Sequence, residues 1–159
     1  MSKIYFFNGW AMDQNLLSPL KNSTEYEIKV INFPYNIDKT SIDKEDIFIA
    51  YSFGVYYLNK FLSENQDLVY EKAIAINGLP ETIGKFGINE KMFNMTLETL
   101  NKENLEKFLL NMDIDESFER ADKTLEEAKY ELQYFKDNYK AIPNYINFYY
   151  IGKNDRIIP

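Results

Sequence analysis

The most informative stretch of the sequence runs from residue 46 to residue 64 and reads DIFIAYSFGVYYLNKFLSE. Its first part, Asp46–Tyr51, is a short apolar run that predicts a buried strand. Its last part, Val55–Glu64, predicts a helix because its apolar residues recur at helical spacing. The junction reads Ala50-Tyr51-Ser52-Phe53-Gly54 and differs from G-x-S-x-G only in its first residue. That motif needs small residues around the serine, because strand and helix meet closely at a strained turn that exposes the hydroxyl above the sheet.

Further apolar runs predict more strands on either side of this junction. They are Ile4–Phe7, Glu27–Ile31, Lys72–Ile76 and Tyr145–Ile151. A short helix is expected over Asp13–Leu20. Strands that alternate with helices in this way predict an α/β fold with a mostly parallel sheet and right-handed crossovers. A length of 159 residues suits a single domain, which we expect to span residues 1–159.

The segment between Glu81 and Tyr139 has a different amino-acid composition. It is rich in Glu, Lys, Leu and Asn and has few strand-forming residues. We expect two or three helices here, inserted between strands as a lid over about residues 81–140. Near its end, a stripe at helical spacing is formed by Leu125, Lys129, Leu132 and Phe135.

Composition restricts the classes of function. The formal net charge of −7 disfavours nucleic acid as a general partner, since an acidic surface repels phosphates. The first apolar run, Ile4–Phe7, is far too short for a signal peptide or a membrane span, so we expect a cytoplasmic protein without a membrane partner. Cysteine and histidine are both absent, which removes thiolate metal ligands, the commonest nitrogen ligand and the commonest general base. We therefore expect no metal site.

A serine nucleophile needs partners, and the predicted fold supplies candidates for them. The backbone N–H groups of Phe53 and of Trp10, after the first strand, are the candidate oxyanion donors, and Gly9 would let the backbone approach the substrate. Asp155, just beyond the last strand, is placed to orient a histidine. Simpler interpretations remain open: Ser52 in a turn without chemistry, Trp10 as a core aromatic residue, and Asp155 in an Asn-Asp turn.

Three segments taken together resemble a known family. They are Phe6-Phe7-Asn8-Gly9-Trp10-Ala11-Met12-Asp13, Ala50-Tyr51-Ser52-Phe53-Gly54 and Ala75-Ile76-Asn77-Gly78-Leu79-Pro80. The family is that of the pimeloyl-[acyl-carrier protein] methyl ester esterases of the BioG type, which are α/β-hydrolases. Phe86-Gly87-Ile88, shortly after the third segment, also fits it. The resemblance spans nearly the whole chain.

The resemblance implies a reaction and a set of roles. The reaction is hydrolysis of the methyl ester on pimeloyl-carrier protein, a step of biotin biosynthesis that uses no cofactor. Ser52 would be the nucleophile, Asp155 the acid that orients the histidine, and Trp10 and Phe53 the oxyanion donors. The partner would be the acyl-carrier protein. Because carrier proteins are acidic, docking would use basic side chains of the helical segment, with these candidates: Lys85, Lys91, Arg120 and Lys123.

The sequence departs from the family pattern at one point. The family carries its histidine on a further segment after the aspartate, whereas these 159 residues contain none. We therefore expect that the C-terminal end of the fold is missing and that residues 1–159 alone have little or no esterase activity. Two alternatives stay open: a non-catalytic hydrolase-like protein that binds an acyl ligand or a partner, and a different esterase or thioesterase on the same fold.

Overall fold

The computed structural model describes residues 1–20 and 22–154. Within these residues one sheet is formed by β1 (Lys3–Phe7), β2 (Glu27–Ile31), β3 (Ile47–Tyr51), β4 (Lys72–Ile76) and β5 (Phe148–Tyr150). The strand order is β2-β1-β3-β4-β5, and each neighbouring pair is parallel. The carboxyl ends of the strands therefore lie at one edge of the sheet, which is where α/β proteins bind their ligands.

The helices follow the predicted alternation. The crossover from β3 to β4 is α1 (Gly54–Glu64), and the segment between β4 and β5 contains α2 (Glu90–Glu98), α3 (Lys102–Asn111) and α4 (Leu125–Asn138). The prediction of two or three inserted helices is thus confirmed. None of the helices in the described part of the chain combines the length and the apolar character that a membrane crossing requires.

Two groups of buried apolar side chains hold these elements together. The first packs α1 against the sheet around Phe7 and Phe48, both of which are fully buried. The second joins the loop after β1 and the start of α1 to the inserted helices, and it includes Trp10, Phe53 and Phe135. Burying an aromatic side chain of this size contributes about 2 kcal/mol. The insertion is therefore part of the packed interior beside the end of β3.

Three local predictions need correction. The helix expected over Asp13–Leu20 is a 3₁₀ helix from Gln14 to Leu20. Lys129 does not belong to the buried face of α4, where Ala128 and Glu131 are buried instead. It is exposed because it lies at the margin of that face, from which a long side chain places its ammonium group in water.

The last strand is also shorter than expected, Phe148–Tyr150 rather than Tyr145–Ile151. The N–H of Tyr145 donates to Oδ1 of the buried Asn59 at 2.7 Å, and the N–H of Ile146 donates to Oδ1 of Asn144 at 3.0 Å. Because the Tyr150 carbonyl faces β4, the Ile146 N–H is the donor that a longer ladder to β4 would use, and Asn144 takes it instead.

Candidate functional site

Ser52 lies in the turn between β3 and α1, in a strained backbone conformation. Its φ is +55°, and the residue is only 5% exposed. A left-handed conformation costs a residue with a β-carbon roughly 1 kcal/mol, so it persists only where the surroundings fix it. The N–H of Ser52 donates to the carbonyl of Ile76 in β4 at 3.1 Å, and its carbonyl accepts the N–H of Val55 at 3.1 Å. The predicted strain of this turn is therefore present, but the predicted exposure of the Ser52 hydroxyl is not, because the residue is buried.

Two glycines allow this turn to pack as closely as it does. A β-carbon at Gly54 would lie 2.2 Å from the carbonyl oxygen of Phe7 and 2.6 Å from that of Asn8. A β-carbon at Gly78 would lie 2.4 Å from the carbonyl oxygen of Ser52 itself. All three distances are far below van der Waals contact. Gly54 belongs to the sequence motif, whereas Gly78 was noted in the sequence only as part of the segment from Ala75 to Pro80 that carries the family resemblance.

The loop after β1 is held by the side chain of Asn8, which is fully buried. Its Nδ2 donates to the carbonyl of Asp13 at 2.8 Å and to Oδ1 of Asn32 at 3.0 Å, while its Oδ1 accepts the N–H of Gly9 at 2.9 Å. We call residues 8–13 the β1 loop. The Asn8 carbonyl faces Gly54, so this loop lies directly against the turn that carries Ser52.

The side chains of Trp10 and Phe53, whose N–H groups are the predicted oxyanion donors, both pack against the inserted helices. Nε1 of Trp10 donates to the carbonyl of Ala128 in α4 at 2.8 Å, and the indole meets the Phe108 ring edge-on at 5.1 Å. The Phe53 ring meets Phe135 at 4.9 Å. Trp10 is 4% exposed, so it is a core residue of the insertion interface and also a neighbour of the Ser52 turn.

A groove of about 700 Å³ opens beside this interface, between α1 and α4. This volume is in the range of small-molecule sites. Aromatic residues line much of it: Tyr35, Tyr56, Tyr57, Phe61, Tyr134, Phe135 and Tyr139. A cavity of about 10 Å³ lies between the groove and the β1 loop and shares Tyr35, Tyr57 and Phe135 with the groove. Burial raises the pKa of the Tyr35 and Tyr57 hydroxyls well above their usual value.

Sequence reasoning missed the buried carboxylate that joins α4 to the β1 loop, which belongs to Glu131. It is 5% exposed, its Oε2 accepts the N–H of Ala11 at 3.0 Å, and its Oε1 pairs with Nζ of Lys123. A signal was available, because Glu131 occupies the same helical face as Leu132 and Phe135. A carboxylate within an apolar stripe indicates a buried and paired charge.

The predicted acid, Asp155, lies outside the described residues. The strand before it, β5, pairs with β4, and the N–H of Asn77 at the end of β4 donates to the carbonyl of Tyr150 at 2.9 Å. The N–H of Gly152 then donates to Oδ1 of Asn77 at 2.7 Å. Within the described residues no group of three or more acidic, histidine or cysteine side chains is arranged to hold a metal ion.

Comparison of the fold with solved structures finds BioG from Haemophilus influenzae. The TM-score is 0.82 at 20% sequence identity, over 99% of this chain and 78% of that chain. The chain has the BioG fold. This confirms the predicted α/β-hydrolase-like architecture. The naproxen esterase (carboxylesterase NP) of Bacillus subtilis is also found, at a TM-score of 0.44 and 14% identity over 98% of this chain and 63% of that chain. No family model and no curated protein matches the chain.

The candidate docking cations differ in their surroundings. Arg120 pairs with Glu106 at 2.6 Å, and the Lys123 side chain is only 16% exposed because it pairs with the buried Glu131. Lys85 and Lys91 are exposed, and the Lys85 ammonium lies 5.2 Å from the centre of the Phe86 ring. Lys85 and Lys91 are therefore the more accessible of these four cations.

Proposed function

We propose that the chain carries the nucleophile of a serine carboxylic ester hydrolase. The observation that supports this most strongly is Ser52, held at a φ of +55° in the strand-to-helix turn of a BioG fold. In the proposed reaction Ser52 Oγ attacks the ester carbonyl, and a histidine takes the hydroxyl proton and returns it to the leaving alcohol. The N–H groups of Trp10 and Phe53 stabilise the negative oxygen, Gly9 lets the backbone approach it, and Asp155 orients the histidine.

The substrate we propose is the methyl ester of pimeloyl-[acyl-carrier protein], with methanol as the leaving group, in biotin biosynthesis in the cytoplasm. The resemblance of the β1 loop and of Ala50–Gly54 to the BioG family supports this choice, together with the shared fold. The groove beside α4 has the volume that an acyl chain needs, and aromatic residues line part of it. The exposed Lys85 and Lys91 would meet the acidic carrier protein. No cofactor is needed for this hydrolysis.

These 159 residues contain no histidine, and this affects the expected rate. Loss of the histidine alone lowers turnover by a serine hydrolase on the order of a millionfold. We therefore expect the 159-residue polypeptide, assayed alone, to have little or no esterase activity, with only substrate binding and the oxyanion donors left to assist. The intact mass of the gene product from its own cells is the first measurement to make, since a mass a few kilodaltons above 18.9 kDa would allow for the residues that supply the histidine.

The activity test uses that natural gene product with pimeloyl methyl ester attached to carrier protein, and follows methanol release. We expect turnover that Ser52→Ala abolishes. Ser63→Ala is the matched control, because Ser63 lies at the far end of α1 and its hydroxyl only donates to the carbonyl of Lys60. Turnover that survives Ser52→Ala would disprove the assigned nucleophile. Faster turnover of small free esters than of the carrier-bound substrate would favour a different esterase on this fold.

A non-catalytic acyl-binding protein is the second candidate, favoured by the absence of histidine combined with the groove of about 700 Å³. It predicts an intact mass of 18.9 kDa for the gene product. It also predicts binding of pimeloyl methyl ester without turnover, measurable by calorimetry on the wild-type chain. Tyr57→Ala, which removes part of the groove wall, would then weaken binding while Ser52→Ala would not.

A further inference from the structure

Four hydrogen bonds between residues 10–15 and residues 120–131 connect the chain just after β1 to the end of the insertion. Two involve the start of that segment, where Nε1 of Trp10 donates to Ala128 and the N–H of Ala11 donates to Glu131. In the other two, Nδ2 of Asn15 donates to the carbonyl of Arg120 at 2.7 Å, and Oδ2 of Asp13 accepts the N–H of Asp122 at 2.8 Å. The β1 loop and α4 are therefore bonded directly to each other, although they are more than a hundred residues apart in sequence.

One of these four contacts joins a charged side chain of α4 to the backbone of the β1 loop. In it, the Glu131 carboxylate accepts the N–H of Ala11. Its partner Ala11 has a φ of +58°, a conformation that an alanine leaves readily when nothing fixes it. Both residues are buried, at 5% and 8% exposure, so the Ala11 N–H has no easy access to water. Without the carboxylate, this buried donor would lose its partner, and the loop would gain by moving to reach another.

We infer that Glu131 is a positioning residue that fixes the β1 loop and thereby aims the backbone N–H of Trp10 at the substrate oxygen. Ala11 directly follows Trp10, so the peptide plane that carries the Ala11 N–H also carries the Trp10 carbonyl. Fixing it restricts the rotation of the Trp10 backbone. Lys123 completes the arrangement, because its ammonium neutralises the buried carboxylate. The catalytic role of Glu131 rests on the proposed function. The contact between Glu131 and Ala11, however, can be tested without any measurement of activity.

The fluorescence of Trp10 offers a direct test, because it is the only tryptophan of the chain and belongs to the β1 loop. We would record its emission and its quenching by acrylamide in the full chain, for Glu131→Ala and Glu131→Gln. Glu131→Ala should shift the emission to the red and increase the population of the quenchable state about tenfold. Glu131→Gln retains an oxygen that accepts the Ala11 N–H, so its emission should stay close to that of the wild type.

Glu127→Ala is the matched control on the same helix. Glu127 is exposed, and its carboxylate accepts the N–H of Thr124 in the capping box of α4, so its loss weakens the helix without touching the β1 loop. We expect a lower melting temperature with unchanged Trp10 quenching. Equal Trp10 quenching in Glu131→Ala and wild type, with both chains folded by far-ultraviolet circular dichroism, would overturn the inference. If Glu131→Ala does not fold, Glu131→Asp decides, because it keeps the charge beside Lys123 but is one methylene too short for Ala11.

Kinetics on the natural gene product separate this inference from the proposed function. If Ser52 is the nucleophile and Glu131 positions the oxyanion donor, Glu131→Ala lowers kcat with little change in KM, and Glu131→Gln restores most of it. If Ser52→Ala leaves activity unchanged, the proposed function fails, while the fluorescence result still decides whether Glu131 fixes the loop. If Glu131→Ala increases the quenching of Trp10 but keeps the wild-type kcat, the contact between Glu131 and Ala11 fixes the loop without contributing to catalysis.

Discussion

Substituting alanine for Gly54 should destabilise the protein strongly through a single methyl group. The added β-carbon would lie 2.2 Å from the carbonyl oxygen of Phe7 and 2.6 Å from that of Asn8. A carbon and an oxygen approach each other to about 3.3 Å at closest, so the helix must retreat by roughly 1 Å. Both opposing atoms belong to the backbone at the end of β1, and no side-chain rotation can relieve the contact. We expect the upper end of the overpacking range, about 3 kcal/mol.

Gly9→Ala is the comparison that isolates this effect. Its β-carbon would meet Sδ of Met12 at 3.0 Å, which is the flexible end of an adaptable side chain. We expect a loss below about 1 kcal/mol. Urea unfolding followed by far-ultraviolet circular dichroism measures both variants. A free energy of unfolding for Gly54→Ala within about 1 kcal/mol of the wild type would show that β1 and α1 are not packed as closely as the structure has them.

Three further predictions concern other parts of the same framework. Ser52→Gly should be more stable than Ser52→Ala by about 1 kcal/mol in urea unfolding, because glycine adopts a φ of +55° without strain; equal stability would contradict the strained turn. Asn59→Ala should lower the free energy of unfolding by about 2 kcal/mol, and it should speed hydrogen exchange at the Tyr145 amide because that amide loses its acceptor. Unchanged exchange would refute this. Asp46→Asn should cost about 1 kcal/mol at neutral pH, and the difference from wild type should shrink as the pH falls below about 4 in acid unfolding experiments; a difference independent of pH would contradict it.

The sign of the Asp46 effect follows from its surroundings. Burial by itself would raise the pKa of this carboxyl, but the N–H groups of Asp43 and Lys3 and the ammonium of Lys3 hold it below the usual range. The N–H of Lys3 donates to Oδ1 at 2.7 Å and that of Asp43 to Oδ2 at 2.8 Å. A lowered pKa means that the stabilising contribution is present above the unfolded value and is lost as the pH falls through the folded one.

The central part of the fold could be predicted from the sequence because its signals are local. Residues 46–64 combine an apolar strand, a small-residue turn and an amphipathic helix, and the observed bounds of β3 and α1 differ from the predicted ones by one residue. The strands at 27–31 and 72–76 are confirmed without change. Each of these elements is defined by residues within its own length, so periodicity was sufficient.

The missed features depend on partners that are distant in sequence. Glu131 meets Ala11 across 120 positions, and periodicity could show that it is buried but not what it binds. The segment before β5 is held by Asn59, whose Oδ1 accepts the Tyr145 N–H from 86 positions away. Gly78 resembles an ordinary turn glycine until the Ser52 carbonyl is placed against it. Single-sequence patterns carry no record of such pairings.

The contacts that hold Ser52 are mainly contacts to the backbone, so they place few demands on the surrounding side chains. The N–H of Ser52 bonds to a carbonyl of β4, Gly54 faces two carbonyls of β1, and Gly78 faces the carbonyl of Ser52. These contacts require glycine at two positions, Gly54 and Gly78, but no particular side chain elsewhere. The rest of the sequence can therefore change provided that it stays apolar where it is buried. A TM-score of 0.82 at 20% identity with BioG is what such a framework allows.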